Sequence, residues 1–211
     1  MIADLYGDLG EAEQSLVWRK RLLEAPDSVG TASSERGVNQ RVNTLESIFE
    51  LQRETGDVDA AFETLMQLVQ IDSLNRHSYY SRMVSLAEEH GDESMKLEGL
   101  KGMFRADPGD LETLAKLVEW HLNEGDRKAA WQKLDHGLRL DGDNAHLQLL
   151  KGDALASQGA EEEALAAFEI ARRDPEWERI AQQRIWNLRP PETEEEKLKK
   201  AFFGGDGEDK E

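Results

Sequence analysis

The sequence predicts an all-α chain of stacked helix-turn-helix units, and three observations carry that prediction. The chain resembles itself at a spacing of 34 residues: aligning on the turn Glu124-Gly125 frames a block from Leu111 to Asn144, with a second block from His77 to Asp110 behind it. Each block holds two apolar stripes of the i, i+3, i+4, i+7 kind, such as Leu114, Leu117 and Val118, then Ala130, Leu134 and Leu138. A glycine-containing turn separates the two stripes. One helical hairpin cannot bury its apolar face alone, so neighbouring hairpins must stack.

Composition narrows the function classes. The chain has 211 residues, 44 acidic against 26 basic, a formal net charge of −18, 38% apolar residues and no cysteine. It is long enough for a sizeable core. Without cysteine there is no disulfide framework, no thiolate nucleophile and no cysteine-based zinc site. The acidity argues against nucleic-acid binding, which rests on Lys and Arg meeting phosphates, and favours basic partners. No apolar run reaches the roughly 20 residues of a membrane span, and the N-terminus has no signal-peptide pattern. The cytoplasm is the expected compartment, or the periplasm if the chain is a fragment.

Taken in order, the blocks are 42–76, 77–110, 111–144 and 145–174. The first supplies Leu45, Ile48, Ala61, Leu65 and Leu68; the second Tyr80, Met83, Ala87, Leu100, Met103 and Pro108. The third supplies Leu114, Leu117, Ala130, Leu134 and Gly137; the fourth Gly152, Leu155, Ala164, Phe168 and Ala171. This pattern resembles the tetratricopeptide repeat (TPR), whose 34-residue unit has small residues where its two helices cross. One mismatch stands out: Lys96 occupies a small-residue position of the second block. The resemblance implies a right-handed superhelical solenoid.

The flanks follow from the same frame. Residues 1–26 read as a repeat entered part-way, with Ile2, Ala3 and Tyr6 on first-helix positions and Gly10 in the turn, which suits a piece of a longer array. Residues 27–41, rich in Ser, Gly and Thr, are expected to form a loop. Trp177, Ile180, Ala181, Ile185, Trp186 and Leu188 predict an amphipathic capping helix over 175–188, stopped by Pro190-Pro191. The charged tail, 189–211, carries a short helix over 193–203 and a disordered, acidic, glycine-rich end. Leu198 and Phe202 share a face of that helix and are candidate docking residues.

No catalytic or cofactor motif is found. The chain lacks G-x-S-x-G, a Walker-type phosphate loop and H-E-x-x-H. His77, His90, His121, His136 and His146 have no ligand-like spacing, and His121 falls on a core-type position. Asp141 to Asn144 lack the remaining ligands of a calcium loop and suit a turn. The tryptophans Trp18, Trp120, Trp131, Trp177 and Trp186 are read as packing residues, and the basic string at Trp18 to Arg21 as a solvated helix face. No cofactor, no metal and no catalytic residue are expected.

The resemblance implies instead a groove lined by the first helix of each repeat. Carried onto this chain, it would hold Asn43, Glu46, Glu50 and Arg53; Ser78, Ser81, Ser85 and Glu88; Glu112, Ala115, Glu119 and Leu122; and His146, Leu149, Asp153 and Ala156. Glu46, Glu50, Glu88, Glu112, Glu119 and Asp153 are six acids against the one base Arg53. The Lys/Asn/Arg clamp by which some family members hold a C-terminal carboxylate is missing from these positions. The expected function is a non-catalytic scaffold that binds a basic protein or peptide and assembles a larger complex. The alternative is a docking or regulatory segment of a larger secretion or polysaccharide-export protein. Self-association stays open; nucleic-acid binding and membrane insertion by this segment are not expected.

Overall fold

The computed structural model describes residues 12–24 and 35–203. The described residues are helical with no strand: α1 (Ala12–Glu24), α2 (Glu35–Thr55), α3 (Val58–Ile71), α4 (Arg76–His90), α5 (Glu93–Ala106), α6 (Leu111–Asn123), α7 (Arg127–Leu140), α8 (Ala145–Ala156), α9 (Glu161–Ala171), α10 (Glu178–Leu188) and α11 (Glu194–Phe203). The positions Ile2, Ala3, Tyr6 and Gly10, residues 27–34 and the end 204–211 lie outside the described residues.

The hairpin turns follow a local code. Gly56, Gly91, Gly125 and Gly159 all take positive φ, between 70° and 77°. Glycine reaches this left-handed region without a Cβ penalty. At three of the four turns an aspartate follows, and its carboxylate caps the next helix: Asp57, Asp92 and Asp126 accept from the backbone N–H of Ala60, Met95 and Ala129. Each satisfies one of the donors that a helix start leaves unpaired. An aspartate also closes the second helices α3, α5 and α7, at Asp72, Asp107 and Asp141.

The chain forms two compact units, residues 1–117 and 118–211. In the first, α1 packs on α2, and the hairpins α2/α3 and α4/α5 stack through α3 and α4. Its core includes Leu45, Phe49, Leu65, Leu68, Met83 and Leu100. The Gln52 and Thr64 side chains are buried in it, where the Thr64 hydroxyl donates to Gln52 Oε1 at 2.7 Å. In the second unit α8 pairs with α9, and α10 packs on α9. Phe168, Ala164, Ala171, Ala181 and Ile185 form its buried cluster.

Close helix approach is made by glycine. A Cβ on Gly152 would lie 2.3 Å from the Phe168 ring, as the small-residue expectation requires. In the α4/α5 hairpin the close approach lies elsewhere than the position of Lys96. Gly99 lies against Val84 and Gly102 against the Tyr80 ring, where a Cβ would come within 2.7 and 2.1 Å. Lys96 is left at the surface beside Glu88, 3.4 Å away.

Two further expectations, the loop over 35–41 and the place of Trp186, are corrected. Residues 35–41, read as loop, are the first two turns of α2, which runs for 21 residues. Trp186, placed on the apolar face of the capping helix, is 52% exposed, because Ala181 and Ile185 already fill the contact with α9. Among the described residues α11 packs on no other helix, and its Leu198 and Phe202 are exposed.

Candidate functional site

The six acids singled out on the first helices are all present at the surface or half-buried, and each has a base within 4 Å. In the first unit Arg82, on α4, reaches back to α2, with Nη1 at 3.4 Å from Glu46 and Nη2 at 3.0 Å from Glu50. The same guanidinium sits over the Phe49 ring, 5.0 Å from its centroid. Arg53 also meets Glu50, at 3.0 Å. Lys96 takes Glu88 at 3.4 Å, and Lys116 takes Glu112 at 2.8 Å. The Glu112 hydrogen bond, backed by the charges of Glu88 and Asp110, outweighs partial burial and raises the Lys116 ammonium above its usual pKa.

In the second unit Glu119 accepts at 2.9 Å from His146 Nε2 when that nitrogen carries the proton, and Arg184 Nε donates to Asp153 at 2.8 Å. His146 in turn stacks on Trp177, with centroids 4.1 Å apart. The pairs Arg82–Glu50 and His146–Glu119 link first helices of successive hairpins, and Arg184–Asp153 links the last of these to the capping helix α10, so the acid stripe is internally compensated. Pairs this exposed contribute about 0–1 kcal/mol each. Two other expected groove residues, Ala115 and Leu149, are buried in helix packing.

The structure brings three of the expected residues into one cleft. Glu119, Leu122 and Asp153 line a cavity of about 470 Å³ in the second unit, together with Asn123, Gly125, Arg127, Leu150, Ala154 and Ser157. The end of α6, the start of α7 and the middle of α8 supply these residues. Its wall is apolar at Leu122, Leu150 and Ala154, and its carboxylates are Glu119 and Asp153. Serine and asparagine side chains add hydrogen-bonding capacity at the rim. Among the described residues no group of His, Asp and Glu could hold a metal ion, and no helix is long and apolar enough to cross a membrane.

The remaining candidate residues have structural surroundings. His77 Nε2 lies 2.9 Å from Asp110, the residue that caps α6 through the backbone N–H groups of Glu112 and Thr113. Burial would raise the Asp110 pKa, but the Thr113 and His77 hydrogen bonds outweigh it and hold the carboxyl below its usual value. His121 is 12% exposed, with Nδ1 3.7 Å from Asp126. Asp141 to Asn144 form the turn between α7 and α8, where Asn144 caps α8. Arg21 lies over the Trp18 ring at 5.2 Å, so part of the basic string is engaged locally.

No family model matches the chain, and no curated protein matches it. Solved structures do. A tetratricopeptide-repeat protein from Parabacteroides merdae aligns with a TM-score of 0.52 at 14% identity, covering 88% of this chain and 69% of its own. YrrB, described as a TPR protein with an unusual peptide-binding site, aligns with a TM-score of 0.51 at 14% identity, over 86% and 87% of the two chains. A MamA structure (AMB-1) aligns with a TM-score of 0.50 at 17% identity, over 82% and 88%. At these identities the likeness concerns the fold: the chain has the all-α TPR architecture that its repeats predict.

Proposed function

We propose that this chain is a non-catalytic TPR scaffold that holds a peptide segment of a protein partner in the cleft of the second unit. The observation that carries the reading is the convergence of Glu119, Leu122 and Asp153 on one cavity with an apolar wall. A cleft with an apolar lining and a few fixed polar groups is the common form of a recognition site. YrrB, with a similar fold, is described as binding a peptide, which supports the same use here. The ligand suited to the lining is a short segment with an aliphatic anchor against Leu122 and Leu150 and a basic side chain between the two carboxylates. Because Arg184 and His146 already engage those carboxylates, the basic group enters by exchange with them. Charge therefore sets specificity more than affinity.

The test is a phage-displayed peptide selection on the full chain, run in parallel on Glu119→Gln/Asp153→Asn. The parent is expected to enrich peptides combining Leu or Ile with Lys or Arg, and the variant to lose the basic preference while keeping the apolar one. Identical enrichment by both proteins would remove the cleft acids from the reading. No enrichment by the parent would remove the cleft itself.

A further inference from the structure

A second cleft, in the first unit, is lined by two arginines. Its floor is Val69, Tyr80 and Gly102, all buried, and its rim carries Gln70, Arg76 and Arg105; the cavity measures about 280 Å³. No carboxylate lines it, in a chain of net charge −18. Arg76 Nε donates to the Val69 carbonyl at 3.0 Å and Arg105 Nε to the Lys101 carbonyl at 3.2 Å. Each backbone bond anchors a guanidinium through one nitrogen and leaves its terminal nitrogens to other acceptors. Among the described residues neither arginine makes an ion pair, whereas Arg53, Arg82, Arg172, Arg184 and Arg189 all do.

The neighbouring carboxylates are committed elsewhere. Asp72 accepts from the Asn75 amide at 2.7 Å and from the Tyr79 hydroxyl at 2.9 Å, and Asp107 accepts from the Gly109 backbone at 2.9 Å. Gly102 is what lets the Tyr80 ring lie flat against α5, since a Cβ there would meet the ring at 2.1 Å. The outcome is an apolar floor beneath two anchored guanidinium groups and a glutamine amide.

We propose that this cleft is a second peptide site, which takes an acidic segment by seating a glutamate or aspartate carboxylate between Arg76 and Arg105 with its aliphatic stem on Tyr80. A planar fork of N–H donors matches a carboxylate, and charge-assisted hydrogen bonds are the strong class. The site lies at the turn between the α2/α3 and α4/α5 hairpins and shares no residue with the second-unit cleft. It therefore takes ligands of opposite charge and stands or falls separately.

The test uses fluorescence anisotropy of a labelled, N-acetylated hexaglutamate peptide with the full chain. The parent binds; Arg76→Gln and Arg105→Gln each weaken binding by about tenfold, the loss of one charge-assisted contact. Arg179→Gln, at an exposed position on α10, leaves it unchanged. If Arg76→Gln lowers the melting temperature through its lost bond to Val69, Arg105→Gln carries the test alone. Three results would overturn the proposal: no binding by the parent at low salt, an equal loss with Arg179→Gln (diffuse attraction only), or displacement of the peptide by an equal concentration of inorganic phosphate (a free-anion site).

Discussion

Thr64 and Gln52 are buried polar groups that satisfy one another across the α2/α3 hairpin. Thr64→Val keeps the shape and leaves the Gln52 carbonyl oxygen without its donor, at an expected cost of about 1–3 kcal/mol. Adding Gln52→Leu removes the orphaned group and recovers part of that loss, so a double-mutant cycle by urea denaturation should show non-additivity. Simple additivity would mean the bond does not form. Asp110 gives a pH-dependent counterpart. Its folded pKa is lowered from 3.8, so its contribution is complete above that value and disappears as pH falls through the folded pKa. Asp110→Asn should therefore flatten the acid side of the stability–pH curve, as followed by thermal melts between neutral pH and the acid limit. An unchanged acid limb would contradict the assignment. The His77 bond to Asp110 spans 33 residues, close to one repeat, which is why no local motif announced it.

The hairpins rest on two kinds of glycine with different tolerances. Gly152 faces the Phe168 ring, so Gly152→Ala forces ring or helix to move and should cost about 1–3 kcal/mol. At Gly142 the backbone is not in the left-handed region and a Cβ would meet only the Leu138 carbonyl at 3.6 Å; Gly142→Ala should be neutral or slightly stabilising. Chemical denaturation of the two variants side by side checks the contrast, and equal losses would refute the packing account. The α4/α5 hairpin shows how the repeat pattern can be right while its key residue shifts. Lys96 broke the expected small-residue position, and Gly99 and Gly102 supply the close approach instead, which only the rotation of α5 against Tyr80 and Val84 makes evident.

For the molecule as a whole, the two helices after the last hairpin should differ in weight. Helix α10 covers the Phe168 cluster through Ala181 and Ile185, whereas α11 meets no other helix among the described residues. Truncation after Leu188 is expected to leave the melting temperature unchanged. Truncation before Trp177 should lower it and promote aggregation, since it uncovers the apolar face of α9. Calorimetry with light scattering distinguishes the two, and equal melting for both truncations would rule out a capping role. An isolated helix of 10 residues is marginal in water, so amides of α11 should exchange freely in the unbound chain.

Repeat length, hairpin turns and helix caps are written in the sequence because they are local. The glycine after each first helix, and the aspartate that follows it at three of the four turns, act within a few residues and recur from block to block. The membership of the core followed too, since Leu65, Leu134 and Phe168 keep their phase against those turns. What the linear pattern could not show is compensation across helices. The acid stripe looked unbalanced because Arg82 lies 32 to 36 residues from Glu46 and Glu50, and Arg184 lies 31 from Asp153. Lys116, one helical turn from Glu112, and Arg53, three residues from Glu50, were the bases within local reach. The same holds for Trp186, whose exposure depends on Ala181 and Ile185 filling the space against α9, and for the Arg76–Arg105 cleft, whose two arginines are far apart in the chain. Turns and caps are decided by neighbours in sequence; charge balance and concave sites are decided by neighbours one repeat away, which only the packed helices bring together.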